Sequence, residues 1–119
     1  MTKRVLIVDD SALQRSIIKE VLKDEFEIVG EAENGKEAVK KYLQTKPDLI
    51  TMDIMMPELN GIEATAKIKE QSPETVIVMC TSVGQDEKMR EAVTAGADGY
   101  VLKPLDEEEL FETVTNAVS

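Results

Sequence analysis

The 119 residues include no histidine and only one cysteine. Without histidine, imidazole acid–base catalysis and His-ligated metal sites are excluded. Without a cysteine cluster zinc is excluded as well, leaving a hard cation bound through oxygen as the one plausible metal class. Cys80 has no partner for an internal disulfide. It lies in an apolar run and reads as a small core residue, and the expected compartment is the cytoplasm. No apolar run approaches the ~18 residues of a membrane span, so no membrane insertion is expected. Residues 1–8 hold only a short apolar run before Asp9 and Asp10, which does not make a secretory signal. Basic charge is also scarce. Fourteen Lys and Arg face 24 Asp and Glu, a net charge of −10. Nucleic-acid binding needs a basic footprint and is excluded, whereas a basic partner or a cation suits this balance.

The chain does contain an ordinary globular share of apolar residues, 42%, enough for one domain over residues 1–119 with a real core. Apolar runs and helix starts alternate along it. Lys3 to Val8 reads as a first strand, and its apolar run Val5-Leu6-Ile7-Val8 is that of a strand covered on both faces. Ser11 and Gln14 then have the form of a capping box. The helix that follows has an apolar stripe of Leu13, Ile17, Ile18, Val21 and Leu22. A second strand over residues 26–32 precedes Asn34-Gly35-Lys36-Glu37 and a helix expected to bury Ala38, Val39, Tyr42 and Leu43. Lys46-Pro47 stops it. The third strand, residues 49–52, delivers Asp53 where the strand ends. Pro57 and Asn60-Gly61 make the following turn, and a helix runs to about residue 71. A fourth strand is expected over residues 75–80, a helix over 85–95 closed by Gly96, a fifth strand over 99–102, and a last helix capped by Asp106. Glu107, Glu108 and Glu109 favour the positive start of that helix. Five β-α units in strict alternation predict a doubly wound parallel sheet with helices on both faces.

In such a sheet the C-terminal strand ends share one edge, where ligands bind. Asp9, Asp10, Asp53, Thr81 and Lys103 all fall there. Two carboxylates ~4 Å apart repel by roughly 4 kcal/mol at an effective dielectric of 20, so three need compensation. Lys103 supplies one positive charge and Mg²⁺ would supply the rest. A carboxylate facing an ammonium and a divalent cation describes a phosphoryl-transfer site. In it Asp53 can be the nucleophile, forming an acyl phosphate, and Thr81 can hydrogen-bond a phosphoryl oxygen.

Five landmarks carry a resemblance over essentially the whole chain. They are Val8-Asp9-Asp10-Ser11, the run from Met52 through Asp53 and Pro57 to Gly61, Thr81-Ser82, Ala95-Gly96-Ala97 and Tyr100-Val101-Leu102-Lys103-Pro104. With these in order, the sequence resembles the receiver domains of two-component response regulators, the stand-alone chemotaxis receivers most closely. The resemblance implies a flavodoxin-like (βα)5 fold with strand order 2-1-3-4-5. It also implies that Asp53 takes a phosphoryl group from a sensor-kinase phosphohistidine or from a small phosphodonor. Mg²⁺ is then held by Asp10, Asp53 and the Met55 carbonyl, with Asp9 helping through water. Lys103 binds the phosphoryl group, Thr81 moves to it, and Tyr100 swings inward as the switch. Lys103-Pro104 is expected to be cis. The domain catalyses its own phosphorylation and slow dephosphorylation, rather than acting as a metabolic enzyme. The implied partners are a sensor histidine kinase and a downstream effector such as a flagellar motor switch protein, met by a monomer through its fourth helix, fifth strand and fifth helix. A receiver cut from a longer regulator, or a phosphorelay intermediate, is the alternative. Met55 and Val83 stand where quickly hydrolysing receivers carry polar side chains, which implies a longer-lived phosphate. Leu105 stands where an aromatic is common, which bears on the output face. A Mg²⁺-dependent aspartyl phosphatase would look for a second Asp at position 55 and finds Met55.

Overall fold

Alternation along each strand decides which helices each residue meets. Leu6, Val8, Ile50, Met52, Ile77 and Met79 point to one side of the sheet, while Val5, Ile7, Leu49, Val78, Cys80 and Val101 point to the other. Both sets are buried, as a sheet covered on two faces requires. The structure, a computed structural model, describes residues 2–119. Its elements are β1 (Lys3–Val8), α1 (Ala12–Leu22), β2 (Phe26–Ala32), α2 (Gly35–Thr45), β3 (Leu49–Met52), α3 (Gly61–Gln71), β4 (Val76–Thr81), α4 (Asp86–Ala95), β5 (Gly99–Leu102) and α5 (Glu107–Val118). All four strand pairings are parallel and the order is β2-β1-β3-β4-β5, as expected. Ala38 and Tyr42 of α2, Ala64 and Ile68 of α3 and Ala92 of α4 cover the first face. Ile18 and Leu22 of α1 and Leu110 and Val114 of α5 cover the second.

Three expectations need correction. Leu13 and Leu43 are 68% and 46% exposed, so neither belongs to a buried stripe. Each lies five residues from a buried partner, Ile18 or Ala38, which is about 140° around a helix of 3.6 residues per turn. On α1 the inward position of the first turn goes to Gln14 instead, whose Oε1 is buried without a partner. The fourth strand sits one residue later than expected. Thr75 is held in a turn, its N–H donating to the Ser72 carbonyl at 3.1 Å and its hydroxyl 2.8 Å from that of Ser72. Thr81 joins the ladder because its carbonyl accepts the Lys103 N–H at 2.9 Å.

The Ser11–Gln14 capping box is also only half formed. Ser11 Oγ accepts the Gln14 N–H at 3.3 Å, but the Ser11 N–H goes to Asp9 Oδ1 at 2.9 Å. A charged carboxylate is the stronger acceptor. At α3 the reciprocal pair does close, Asn60 and Glu63 each accepting the other's backbone N–H.

Candidate functional site

The edge at the C-terminal strand ends is where the predicted residues meet. One oxygen from each of Asp9, Asp10 and Asp53 lies within 4.8 Å of the others. β1 and β3 are neighbours, and the Asp53 N–H donates to the Val8 carbonyl at 3.0 Å, extending the ladder into the site. Asp53 is held from behind by glycine. A Cβ on Gly61 would sit 1.9 Å from the Asp53 carbonyl oxygen, and one on Gly35 would sit 1.9 Å from the Leu59 carbonyl oxygen. The starts of α2 and α3 therefore press on the loop after β3 in a way only glycine permits.

Each carboxylate has its own environment. Asp9 is fully buried, with Oδ1 on the Ser11 N–H and Oδ2 2.6 Å from Lys103 Nζ. Asp53 is 5% exposed, its Oδ1 accepting the Ile54 N–H at 2.8 Å and its Oδ2 3.4 Å from Lys103 Nζ. Asp10 is exposed, and among the described residues it has no cation within ion-pairing distance. Burial pushes the Asp53 carboxyl above its ordinary pKa; the Lys103 charge opposes this and the Asp9 charge adds to it. Burial also works against the Lys103 ammonium, but its bond to Asp9 and the nearby charge of Asp53 outweigh that and raise its pKa.

One ammonium against three carboxylates leaves surplus negative charge. The donors are all hard oxygens and Asp10 is uncommitted, so the set fits a divalent cation of the Mg²⁺ kind.

Thr81 is fully buried and its Oγ1 accepts the Val83 N–H at 3.3 Å. Tyr100 is half-buried and its hydroxyl donates to the Val83 carbonyl. Both candidate switch residues thus bond to the backbone of the same residue, Val83, one on each side of its Cα, a link that sequence spacing did not reveal. Burial, and secondarily the Asp53 charge, raises the Tyr100 pKa and keeps that hydroxyl a donor. Met55 is 63% exposed on the loop beside Asp53. The Lys103-Pro104 bond is cis. Arg15 and Glu31 were not singled out from sequence. They lie behind Asp9, joined at 3.0 Å; the available signal was an arginine one turn into a helix that starts beside two aspartates.

A doubly wound sheet whose C-terminal edge gathers buried carboxylates around a lysine defines a class of acidic, cation-ready sites. The family profile for the response regulator receiver domain matches residues 5–115, and the chain belongs to that family of phospho-accepting domains of two-component signalling. Within it the chain is homologous to CheY. It is 50% identical over 119 residues to the chemotaxis protein CheY of Halobacterium salinarum, covering 100% of this chain and 99% of that protein. Identity to the CheY of Thermotoga maritima is 46% over 120 residues, with 100% and 99% covered. Among solved structures, the CheY of a CheX–CheY–BeF3–Mg²⁺ complex from Borrelia burgdorferi superposes with a TM-score of 0.94 at 29% identity, covering 98% of this chain and 90% of that one. No helix among the described residues is long and apolar enough to cross a membrane.

Proposed function

We propose that Asp53 accepts a phosphoryl group from a phosphohistidine of a sensor kinase, and that the phosphorylated domain acts as a chemotaxis messenger. The observation that carries this reading is the convergence of Asp9, Asp10 and Asp53 within 4.8 Å, with Lys103 bridging Asp9 and Asp53. An Asp53 oxygen attacks phosphorus, the P–N bond breaks, and the proton needed by the departing imidazole comes from the partner's side or from water. Lys103 draws the phosphoryl oxygens toward Asp53 and balances their charge. The Thr81 hydroxyl, whose oxygen accepts from Val83, has a hydrogen that can be donated to a phosphoryl oxygen. Asp9 holds Lys103 in place. Asp10, Asp53 and the Met55 carbonyl are the residues that would hold Mg²⁺, with Asp9 acting through water. When bound, that ion would neutralise charge on the transferring group.

The output runs through α4, β5 and α5 to an effector such as a flagellar motor switch protein. Residues 1–119 act as one receiver domain, monomeric and cytoplasmic in this reading. The CheY proteins of Halobacterium salinarum and Thermotoga maritima are matched over 99% of their own length, which favours the messenger over a regulator with an output domain.

The test is mass spectrometry after incubation with acetyl phosphate, with Mg²⁺ or with chelator. One phosphoryl group should add to the wild type with Mg²⁺, and none to Asp53→Asn. Full labelling of Asp53→Asn, or undiminished labelling in chelator, would refute the assignment.

A further inference from the structure

The Asp9–Asp10 peptide is fixed from behind by a side chain that touches none of the reacting groups. Asp9 donates its N–H to the Ala32 carbonyl at 3.0 Å, which continues the β1–β2 pairing. The Asp9 carbonyl leaves the sheet, and its hydrogen bond comes from Arg15 Nη1, at 2.6 Å. The same guanidinium donates through Nε to Glu31 Oε1 at 3.0 Å, and Glu31 Oε2 is bound by Lys19 Nζ at 3.1 Å. The Arg15 side chain is only 15% exposed. It therefore ties the β1–α1 loop to β2 through two acceptors at once.

That carbonyl belongs to the peptide plane whose N–H is Asp10's. Its orientation sets where the Asp10 carboxylate projects. Asp9 has independent anchors in Ser11 and Lys103, whereas Asp10 is exposed with no ion-pair partner among the described residues. Asp10 therefore depends on its backbone for position more than Asp9 or Asp53 does.

We infer that Arg15, braced by Glu31, is a positioning residue that holds the Asp9–Asp10 peptide in the orientation that brings Asp10 into the cation site. This rests on the reading that Asp9, Asp10 and Asp53 hold Mg²⁺. Groups that orient metal ligands from outside typically carry 10- to 100-fold in affinity. Lysine is a poor replacement here, because one ammonium cannot reproduce a planar donor pair spanning two elements.

The experiment is a Mg²⁺ titration without phosphodonor, followed by amide NMR shifts, on wild type, Asp10→Ala, Arg15→Met, Arg15→Lys and Glu31→Gln. Thermal melts of each variant in chelator report the fold separately. Arg15→Met should weaken Mg²⁺ about tenfold. Arg15→Lys and Glu31→Gln should fall between it and wild type. Acetyl-phosphate labelling of Arg15→Met should recover when Mg²⁺ is raised to saturation. A tie that is merely structural would lower the melting temperature and leave Mg²⁺ affinity alone. Wild-type affinity in folded Arg15→Met overturns the inference. If Arg15→Met does not fold, wild-type affinity in both Arg15→Lys and Glu31→Gln overturns it. Failure of the wild type itself to bind Mg²⁺, or undiminished binding by Asp10→Ala, refutes the underlying site assignment instead.

Discussion

Asp53 holds its proton more readily than a free aspartate because burial penalises the charge and Asp9 repels it, with Lys103 only partly compensating. A carboxyl whose pKa is raised on folding stabilises the fold fully below its unfolded pKa. That contribution is lost as pH rises through the folded value, so at neutral pH the ionised group is a net cost. Asp53→Asn should therefore be more stable than wild type at pH 7 in chelator, and the gap should close as pH falls toward the ordinary aspartate range. Urea unfolding at several pH values measures this; a variant less stable than wild type at pH 7 would contradict the account. Two neighbouring side chains are expected to lengthen the life of the phosphate. Met55 is 63% exposed and free to cover the phosphoryl group, while Val83 is tied through its backbone to Thr81 and Tyr100. Neither side chain can hold an attacking water by a strong hydrogen bond. Positioned polar groups are typically worth ~100-fold or more, and a water-placing contact is a weaker device. The double variant Met55→Asn/Val83→Glu should thus lose phosphate roughly ten- to a hundredfold faster than wild type once the donor is removed. Equal rates would mean that both residues only pack the loop.

At the scale of elements, the site depends on how closely helix starts approach the loop after β3. The N-cap Asn60 and Glu63 close a reciprocal pair, and the Gly61 N–H donates to the Ile54 carbonyl at 2.9 Å. This packs α3 against the residue next to Asp53. Gly61→Ala would place a methyl 1.9 Å from the Asp53 carbonyl oxygen, which is backbone and cannot swing away. Overpacking of this kind costs about 1–3 kcal/mol. Gly61→Ala should show that loss in urea unfolding, and a slower acetyl-phosphate reaction at Asp53 as well. A variant with wild-type stability and rate would show that the loop yields more easily than the packing implies.

For the whole molecule, the two candidate switch residues lie between the site and the far edge of the sheet. Thr81 ends β4 and Tyr100 lies in β5, the edge strand, and both bond to Val83. In the proposed switch, phosphate that draws Thr81 toward Asp53 would remove one of those bonds and free the 82–85 segment to repack against Tyr100. Such a change is a shift between two states, sized by the differential contacts the phosphate makes in each. Amide NMR shifts between the free and phosphorylated forms should therefore concentrate in residues 81–118 beyond the site itself. Changes confined to α1 and α2 would count against this route. The effector should meet an acidic surface, because residues 84–119 hold nine acids and three bases.

The order of elements, the parallel sheet and the edge where Asp9, Asp10, Asp53, Thr81 and Lys103 meet were legible in the sequence. The reason is that each signal was local: apolar strand runs, N-cap residues and breakers at fixed positions. Parallel crossovers then leave little freedom over which strand ends share an edge. What tertiary structure alone decided were questions of direction and distance. Leu13 and Leu43 satisfy a helical spacing yet face water, because a stripe five residues wide turns too far around the helix. Gln14 was expected to close a cap, but the Asp9 carboxylate, brought near by the strand end, took the Ser11 N–H. The roles of Gly35 and Gly61 depend on carbonyl oxygens at residues 59 and 53, and the bond from Arg15 depends on a carbonyl six positions upstream. No residue type marks such contacts, since a backbone carbonyl is present everywhere and only packing selects which one a side chain meets.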